Sequence, residues 1–340
     1  MKSIKSIKRV VVLILAMAMV FSLVGCGSSK STSKESTGKK KTIYVIVKVL
    51  GNQYWSIVQA GAEKAGQDLG CNVVIIGTAA ESEVEKQVAL LQDSVTAKAD
   101  GIVIAPLDRK SMIAPIKEQF KSGIPMILID SGIDSEDYST SYLTDNVAAG
   151  SLAAKTLIEK IKAAGTSETK AGVVAVTIGS TGSQAINDRD KGFKTYWDAN
   201  APKAWTVLWD QVKVNDGDSA KALAFGQDFI VGNKNLIGLF APNNGSTVGF
   251  VKALQESGRS DIAMVGFDFS SEMQTIVKDT KFNVATILQR QYDMGYQGVK
   301  EALALANGGK VDKKVNDTGV MVVDSKNVNS AEVKTAAGIK

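Results

Sequence analysis

Amide, charged and aromatic residues stand together where the first predicted strand of the chain ends. Lys48 lies near the end of a β-branched run, and Asn52, Tyr54 and Trp55 follow after Gly51. Aromatic rings pack against the C–H groups of a sugar ring, and amides and charges bind its hydroxyl groups in fixed directions. This mixture is typical of a sugar pocket. The alternative is that Tyr54 and Trp55 only staple the first helical turn to the core.

Polar residues also follow the later buried strands of the chain. They are Asp130 after Ile129, Asn243 and Asn244 shortly after Phe240, Asp268 after Phe267, and Gln289 after Leu288. Because ligands bind at the carboxyl ends of parallel strands, these positions predict one continuous cleft. Taken singly, Asp130, Asn243 and Asp268 could each be a helix cap.

Arg189 stands in the first turns of a predicted helix that follows Gly179-Ser-Thr-Gly182. Its guanidinium can donate two parallel hydrogen bonds to adjacent hydroxyl groups and can offset the charges of Asp130 and Asp268. The alternative is a surface ion. A glycine-rich turn before a helix can also cradle a phosphate, but no Lys-Ser or Lys-Thr follows it, so nucleotide binding is disfavoured.

Composition excludes the catalytic and metal chemistry that depends on histidine. The chain has no histidine, which removes a Ser-His dyad, an imidazole base and the commonest zinc ligand. Asp130 and Asp268 could form an acid/base pair as in a glycosidase, but the sequence identifies no apolar environment that would raise the pKa of either. We therefore predict neither an enzyme nor a cofactor or metal.

Strand and helix patterns alternate along the whole body of the chain. Continuous apolar strands separated by amphipathic helices predict parallel sheets covered by helices on both faces. The same order begins again after Asp145 and Asn146, and 340 residues suit two domains of moderate size. The predicted fold class is therefore α/β, with two doubly wound parallel-sheet lobes.

The N-terminus carries a secretion signal over residues 1–25, with four basic residues before the apolar run from Val10 to Val24. Leu23-Val24-Gly25-Cys26 resembles the lipobox of bacterial lipoproteins, which predicts lipidation of Cys26 and attachment to a membrane. Residues 26–41 have the composition of a disordered tether.

The formal charge of +5 becomes −3 without the nine basic residues and one acidic residue of positions 1–41, which argues against a nucleic-acid partner.

From residue 42 to about 323 the chain resembles the periplasmic-type sugar-binding proteins of ABC importers, in the ribose, allose and galactose cluster. The matching segments, in family order, are residues 49–55, 60–63, 124–130, 144–150, 189–193, 265–268 and 285–289. The resemblance implies that Asn52, Tyr54 and Trp55 clamp a sugar from the first lobe, with Lys48 beside them. It implies that the hydrogen-bond set is completed by Asp130, Arg189, Asn243, Asp268 and Gln289.

The resemblance further implies a type I periplasmic binding protein fold whose lobes are joined by a three-strand hinge. The first lobe would comprise residues 42–145 and 290–317, and the second residues 146–289 and 318–340. A monomer of this kind would be lipid-anchored to the outer face of the cell membrane. It would capture a monosaccharide, a hexose or pentose, and deliver it to an ABC permease. A sensory receptor for a sugar or furanone signal is the alternative.

Two positions depart from the family pattern. Family members commonly have Arg where this chain has Ser131, and an aromatic residue on the second lobe where it has Gly217. The pocket therefore loses one charge and one stacking wall. Trp209, or Asn215 with Asp216, could take the place of that wall.

Overall fold

The computed structural model describes residues 39–338, in which strands and helices alternate as predicted. In chain order the strands are β1 (Thr42–Val49), β2 (Asn72–Thr78), β3 (Gly101–Ile104), β4 (Met126–Ile129), β5 (Thr140–Leu143), β6 (Gly172–Ile178), β7 (Trp205–Val207), β8 (Lys213–Val214), β9 (Leu236–Ala241), β10 (Ala263–Phe267), β11 (Val284–Gln289), β12 (Val315–Asp317) and β13 (Val320–Val323). The helices are α1 (Gln53–Leu69), α2 (Val84–Thr96), α3 (Ile113–Lys121), α4 (Asn146–Ala163), α5 (Gln184–Asn200), α6 (Ser219–Gly232), α7 (Asn244–Ser257), α8 (Ser271–Lys278), α9 (Gln291–Ala306) and α10 (Ala331–Ala336).

The strands form two sheets. The first has the order β12-β5-β4-β3-β1-β2, and the second has the order β13-β11-β10-β9-β6-β7, with β8 paired to β6. Neighbouring strands are parallel, except that β13 runs antiparallel to β11. The predicted α/β class with two parallel sheets is confirmed.

Apolar residues cover both faces of each sheet, as the unbroken apolar strands require. On β1, Ile43 and Val45 pack toward one helical layer, which includes Val58 of α1 and Met294 of α9. Ile46, the next buried residue after Val45, belongs to the core on the other face. Burial on both faces fixes the register of β1, because a slip by one residue would exchange its two faces.

Helices α4 and α5 pack closely at a pair of glycines. A β-carbon added to Gly150 of α4 would overlap the backbone of Arg189, and one added to Gly192 of α5 would overlap the carbonyl of Val147. Only glycine leaves room for two helix backbones this close. The contact fixes how far the helix that carries Arg189 stands from its neighbour.

The chain passes between the two sheets at three neighbouring places. The backbone N–H of Thr318 donates to the carbonyl of Leu143 over 2.8 Å, and that of Asp145 donates to the Asp317 carboxylate over 3.0 Å. Thr144 Oγ1 donates to Gln289 Oε1 over 2.8 Å. Hydrogen bonds therefore tie the three crossings together.

One predicted helix boundary changes after β2. The apolar spacing of Val84 and Val88 predicts a helix from about Glu81, but α2 begins at Val84. The Glu83 carboxylate accepts a hydrogen bond from the Ala79 N–H over 2.8 Å, and Thr78 Oγ1 donates to the Ala80 carbonyl over 2.9 Å. These bonds hold the segment in a turn, so Glu81 lies in a loop.

The signal sequence, Cys26 and the tether up to position 38 lie outside the described residues. Among residues 39–338, no helix is long and apolar enough to cross a bilayer.

Candidate functional site

Asp130 and Asp268 occupy equivalent places at the ends of β4 and β10. Both have left-handed backbone conformations, with φ of 62° and 71°. Aspartate tolerates this region better than most residues, although it still costs free energy. Each carboxylate is almost fully buried at the carboxyl edge of its sheet, where the sequence predicted a cleft.

The carboxylate of Asp130 is held by one residue of β1 and one of α1. Lys48 Nζ lies 2.7 Å from Asp130 Oδ2, and the Tyr54 hydroxyl donates to Asp130 Oδ1 over 2.7 Å. Burial alone would raise the pKa of Asp130, but the charges of Lys48 and Arg189 outweigh it and hold that pKa below its usual range. Asp130 is therefore ionised at neutral pH and can accept hydrogen bonds from a ligand.

Lys48 also explains how the chain accommodates a serine at position 131. Its Nζ donates to Ser131 Oγ over 2.7 Å and to Ser183 Oγ over 3.3 Å. Lys48 comes from β1 but delivers its charge beside Ser131, where the family commonly carries an arginine. The site keeps a cation next to Asp130.

Arg189 connects the second sheet to the crossings. Its Nε donates to Asn146 Oδ1 over 2.8 Å, its Nη1 to the Pro242 carbonyl over 2.7 Å, and its Nη2 to Gln289 Oε1 over 2.7 Å. The guanidinium carbon lies 4.3 Å from the centre of the Phe267 ring. Each nitrogen thus donates to the protein, and among residues 39–338 one N–H on each terminal nitrogen has no acceptor.

Asp268 is linked to Arg189 through Gln289, whose Nε2 donates to Asp268 Oδ1 over 2.7 Å. Burial raises the pKa of Asp268 to about 6, although the positive charge of Arg189 opposes the shift. The two aspartates of the site therefore have pKa values moved in opposite directions.

The two aromatic residues stand at the start of α1. The rings of Tyr54 and Trp55 meet edge to face, with centroids 4.9 Å apart. Asn52 caps this helix, since its side chain accepts a hydrogen bond from the Tyr54 N–H over 2.8 Å. The helix start thus places an amide and two rings at the same edge as Lys48. Asn243 precedes α7 but makes no capping bond with its side chain.

One cavity between the two sheets brings together all nine residues that the sequence singled out for ligand binding. It is lined by Lys48, Asn52, Tyr54, Trp55, Asp130, Arg189, Asn243, Asp268 and Gln289. Its volume is about 30 Å³, which is close to the space that one water molecule occupies. A wider cavity of about 510 Å³ lies beside it and shares Asn52, Asn244 and Gly245 with it.

The inner cavity is small because the two sheets are bridged across the cleft. The Glu81 N–H donates to the Asp216 carbonyl over 3.2 Å, and the Arg109 N–H donates to the Gly182 carbonyl over 2.9 Å. The Gly132 N–H donates to the Gln184 side chain over 2.9 Å. A ligand of monosaccharide size can enter only when these contacts separate.

Sequence reasoning missed several residues of the cavity. The polar ones are Glu81 and Ser183. Glu81 follows the end of β2, so the strand-end pattern could have identified it, but its spacing fits a helix. Asn244, which the strand-end pattern indicates together with Asn243 but which was not predicted to bind the ligand, also lines the cavity.

Trp209 does not line this cavity. It packs edge-on against Phe193 in the core of the second sheet, with ring centroids 6.1 Å apart. Asn215 is buried and donates to Ser246 Oγ over 2.7 Å, while Asp216 pairs with Lys221. A β-carbon at Gly217 would instead stand 3.0 Å from Cγ of Glu81. Gly217 therefore provides no aromatic wall, and the Glu81 side chain lies in the space beside it.

A family model described as a periplasmic binding protein domain matches residues 43–310. The ribose import binding protein RbsB of Salmonella typhimurium is 28% identical over 301 residues, which cover 88% of this chain and 96% of that protein.

Two solved structures resemble the chain along nearly its whole body. A carbohydrate transporter solute-binding protein from Agrobacterium radiobacter, in complex with D-arabinose, has a TM-score of 0.82 and 34% identity and covers 88% of this chain and 99% of its own. An ABC transporter solute-binding protein from Agrobacterium vitis, with bound D-fucose, has a TM-score of 0.79 and 32% identity and covers 86% and 98%. Both are binding proteins of transport systems, which agrees with the prediction that this chain is not an enzyme. Sheet order, site geometry and these likenesses together show that the chain belongs to the periplasmic binding protein family.

Proposed function

We propose that this protein binds a neutral monosaccharide, a hexose or a pentose, between its two sheets and delivers it to an ABC permease. The observation that carries the proposal is the convergence of Trp55, Asp130, Arg189 and Asp268 on one cavity. The relatives that bind ribose, arabinose and fucose support the same class of ligand.

The chemistry of the cavity suits a sugar better than an ion. Each sugar hydroxyl both donates and accepts, and the cavity offers carboxylates, amides and a guanidinium on different sides. Lys48 is paired with Asp130, and Arg189 is linked to Asp268 through Gln289, so the site has no free cluster of cations for a phosphate or carboxylate group. Trp55 supplies an apolar surface for the ring carbons.

The capture mechanism that we propose is rotation of two lobes. The first lobe comprises residues 42–145 and 290–317, and the second comprises residues 146–289 and 318–340. The lobes would turn about the three crossings near Asn146, Arg290 and Asp317. Sugar binding would replace some of the contacts across the cleft and hold the closed form, whose two faces a permease recognises.

We also propose that the protein works as a monomer on the outer face of the cell membrane, attached through lipidated Cys26 after removal of residues 1–25. The tether of residues 26–41 would let the binding lobes reach the permease. Radiolabelled palmitate incorporation that disappears in Cys26→Ser is the expected result for this attachment.

A thermal-shift screen of the purified protein tests the binding function. The panel is D-ribose, D-allose, D-galactose, D-arabinose and D-fucose. A ligand at 100 times its Kd stabilises the folded state by about 2.7 kcal/mol, so a binding sugar should raise the melting temperature by several degrees. Asp268→Ala should fold and lose this shift. A shift that Asp268→Ala and Arg189→Ala both retain would contradict the site assignment.

A further inference from the structure

Glu81 reaches the binding cavity from a loop that sequence reasoning had assigned to a helix. The residue lies between β2 and α2, is half-buried, and lines the inner cavity. Its backbone N–H donates to the Asp216 carbonyl on the other side of the cleft. Glu81 therefore belongs to the first sheet by chain position but contacts loops of the second.

Two glycines of the second sheet leave the space that the Glu81 side chain fills. A β-carbon at Gly217 would stand 3.0 Å from Glu81 Cγ, and one at Gly179 would collide with the Glu81 carboxylate. The same point at Gly179 lies 2.7 Å from Asn243 Nδ2. The carboxylate is thus placed on the same side of the cavity as the Asn243 amide, and Asn244, which begins α7, lines that cavity too.

The carboxylate of Glu81 accepts no hydrogen bond from residues 39–338. Lys48, the cation with the largest effect on it, is already held by Asp130, Ser131 and Ser183. Burial raises the pKa of Glu81, and the charge of Lys48 opposes this shift only in part. A half-buried acceptor in a ligand cavity is therefore left without a donor.

Asn244 has a hydrogen-bond donor without an acceptor, whereas Glu81 has an acceptor without a donor. The residue is 7% exposed, it lines the same cavity, and its Nδ2 has no hydrogen-bond partner among the described residues. A buried amide N–H group without an acceptor costs about 1 to 3 kcal/mol, so a ligand that supplies an acceptor would gain affinity there.

A hydroxyl group satisfies both residues at once. It donates to a carboxylate and accepts from an amide, whereas an ammonium group only donates and a methyl group does neither. An apolar wall, as the family resemblance implies for position 217, would instead select the C–H face of a sugar. With Glu81 and Asn244 in place of an apolar wall, the ligand must present a hydroxyl group, and not a C–H face, toward position 217.

We propose that Glu81 and Asn244 form an additional ligand subsite that binds one sugar hydroxyl beside Gly217, with Glu81 accepting and Asn244 donating. The proposal rests on the sugar-binding function and narrows its ligand class. The sugar must carry a free hydroxyl at this position, and its deoxy analogue is discriminated against.

Isothermal titration calorimetry of the purified protein tests this subsite. The wild type is first titrated with the five sugars named above, and the tightest ligand is then replaced by its monodeoxy analogues in turn. Glu81→Ala, Glu81→Gln and Asn244→Ala are compared with Glu85→Gln, which removes an exposed carboxylate from the same segment.

We expect Glu81→Ala to weaken binding of the full sugar by about tenfold to hundredfold, the range for a hydrogen bond to a charged group. Asn244→Ala should lose about tenfold, Glu81→Gln should fall between wild type and Glu81→Ala, and Glu85→Gln should bind as the wild type does. The wild type should bind one deoxy analogue more weakly than the full sugar. In Glu81→Ala this difference in affinity should disappear, because the hydroxyl group of the full sugar has lost its acceptor.

Two results would overturn the subsite while the binding function stands. One is wild-type affinity in Glu81→Ala, and the other is an equal loss for every analogue, which would mean that Glu81 only supports closure. If the wild type bound none of the five sugars, the proposed function would fail, and the subsite with it.

Discussion

Lys48 Nζ lies 2.7 Å from Oδ2 of Asp130, and both side chains are less than a tenth exposed. The pair joins the end of β1 to the end of β4 within the first sheet. A charge pair this deeply buried is balanced only while both partners are present, because either ion alone would carry the full cost of desolvation. The stability of the first lobe's strand ends therefore depends on both residues.

Removing only the lysine should destabilise the protein. We expect Lys48→Met to lower the free energy of unfolding by about 3 to 5 kcal/mol, since the Asp130 charge stays buried without its partner. Urea unfolding measures the effect. Lys48→Met with Asp130→Asn should recover part of the loss, and Lys64→Met, which breaks an exposed pair on α1, should change little. A single variant as stable as the wild type would show that the Asp130 charge is satisfied by other groups.

Sugar affinity should depend on pH through Asp268. Its pKa of about 6 means that the carboxyl group is protonated below pH 6 and loses capacity to accept hydroxyl hydrogens. We expect affinity for the sugar found in the thermal-shift screen to fall as the pH decreases from 7 to 5. Asp268→Asn should bind more weakly and show no such fall, as calorimetry across this range would reveal. An unchanged pH profile in that variant would assign the dependence to another group.

Trp55 should contribute affinity without selecting the epimer. Its ring offers an apolar surface that any pyranose can contact, whereas we propose that Asp130, Arg189 and Asp268 recognise the orientation of the hydroxyl groups. We expect Trp55→Ala to weaken binding about tenfold for every sugar of the panel and to leave their order unchanged. Trp55→Phe is the matched control and should retain most of the affinity. A reversed order of sugars would give the ring a role in specificity.

Asp190 should make the stability of the protein pH-dependent. Burial raises its pKa to about 7, and its Oδ1 has no hydrogen-bond partner among residues 39–338. The folded state therefore retains a proton that the unfolded chain releases near pH 4, so the contribution of Asp190 to stability is fully present below pH 4 and is lost as the pH rises to about 7.

Asp190→Asn should be about 1 to 3 kcal/mol more stable than the wild type at pH 8 and nearly equal to it at pH 4. Thermal unfolding at several pH values provides the measurement. Asp198→Asn removes an exposed carboxylate from the same helix and should follow the wild-type curve. Parallel curves for wild type and Asp190→Asn would contradict the raised pKa.

Much of the fold could be predicted because its strands are buried on both faces. The runs around Ile43 and Leu236 contain few polar residues, and such runs separated by helical periodicity have few alternatives to parallel sheets. The short strands β5 and β12 were missed, since only three or four residues are involved in each and their pattern is partly polar. Helix α8 was also missed, because its eight residues are too few to show a clear helical period.

The site was predictable to the extent that it follows strand ends. Asp130, Asp268 and Gln289 directly end or follow apolar strands, and the structure brings them to one cavity. Glu81 was missed because its spacing to Val84 and Val88 fits a helix, whereas the hydrogen bonds of Glu83 and Thr78 keep it in a loop. The position of Trp209 depends on a contact with Phe193, which no local pattern reveals.

The glycine contact between α4 and α5 has a consequence for loss-of-function variants. Arg189 belongs to the turn that is pressed against Gly150, and Gly192 lies less than one turn further along the same helix. A side chain at either glycine would push α5 away from α4. The Arg189 guanidinium would then be too far from Gln289 to donate a hydrogen bond to it. Variants that cannot support growth on the transported nutrient are therefore expected at these two glycines, although neither lines the cavity.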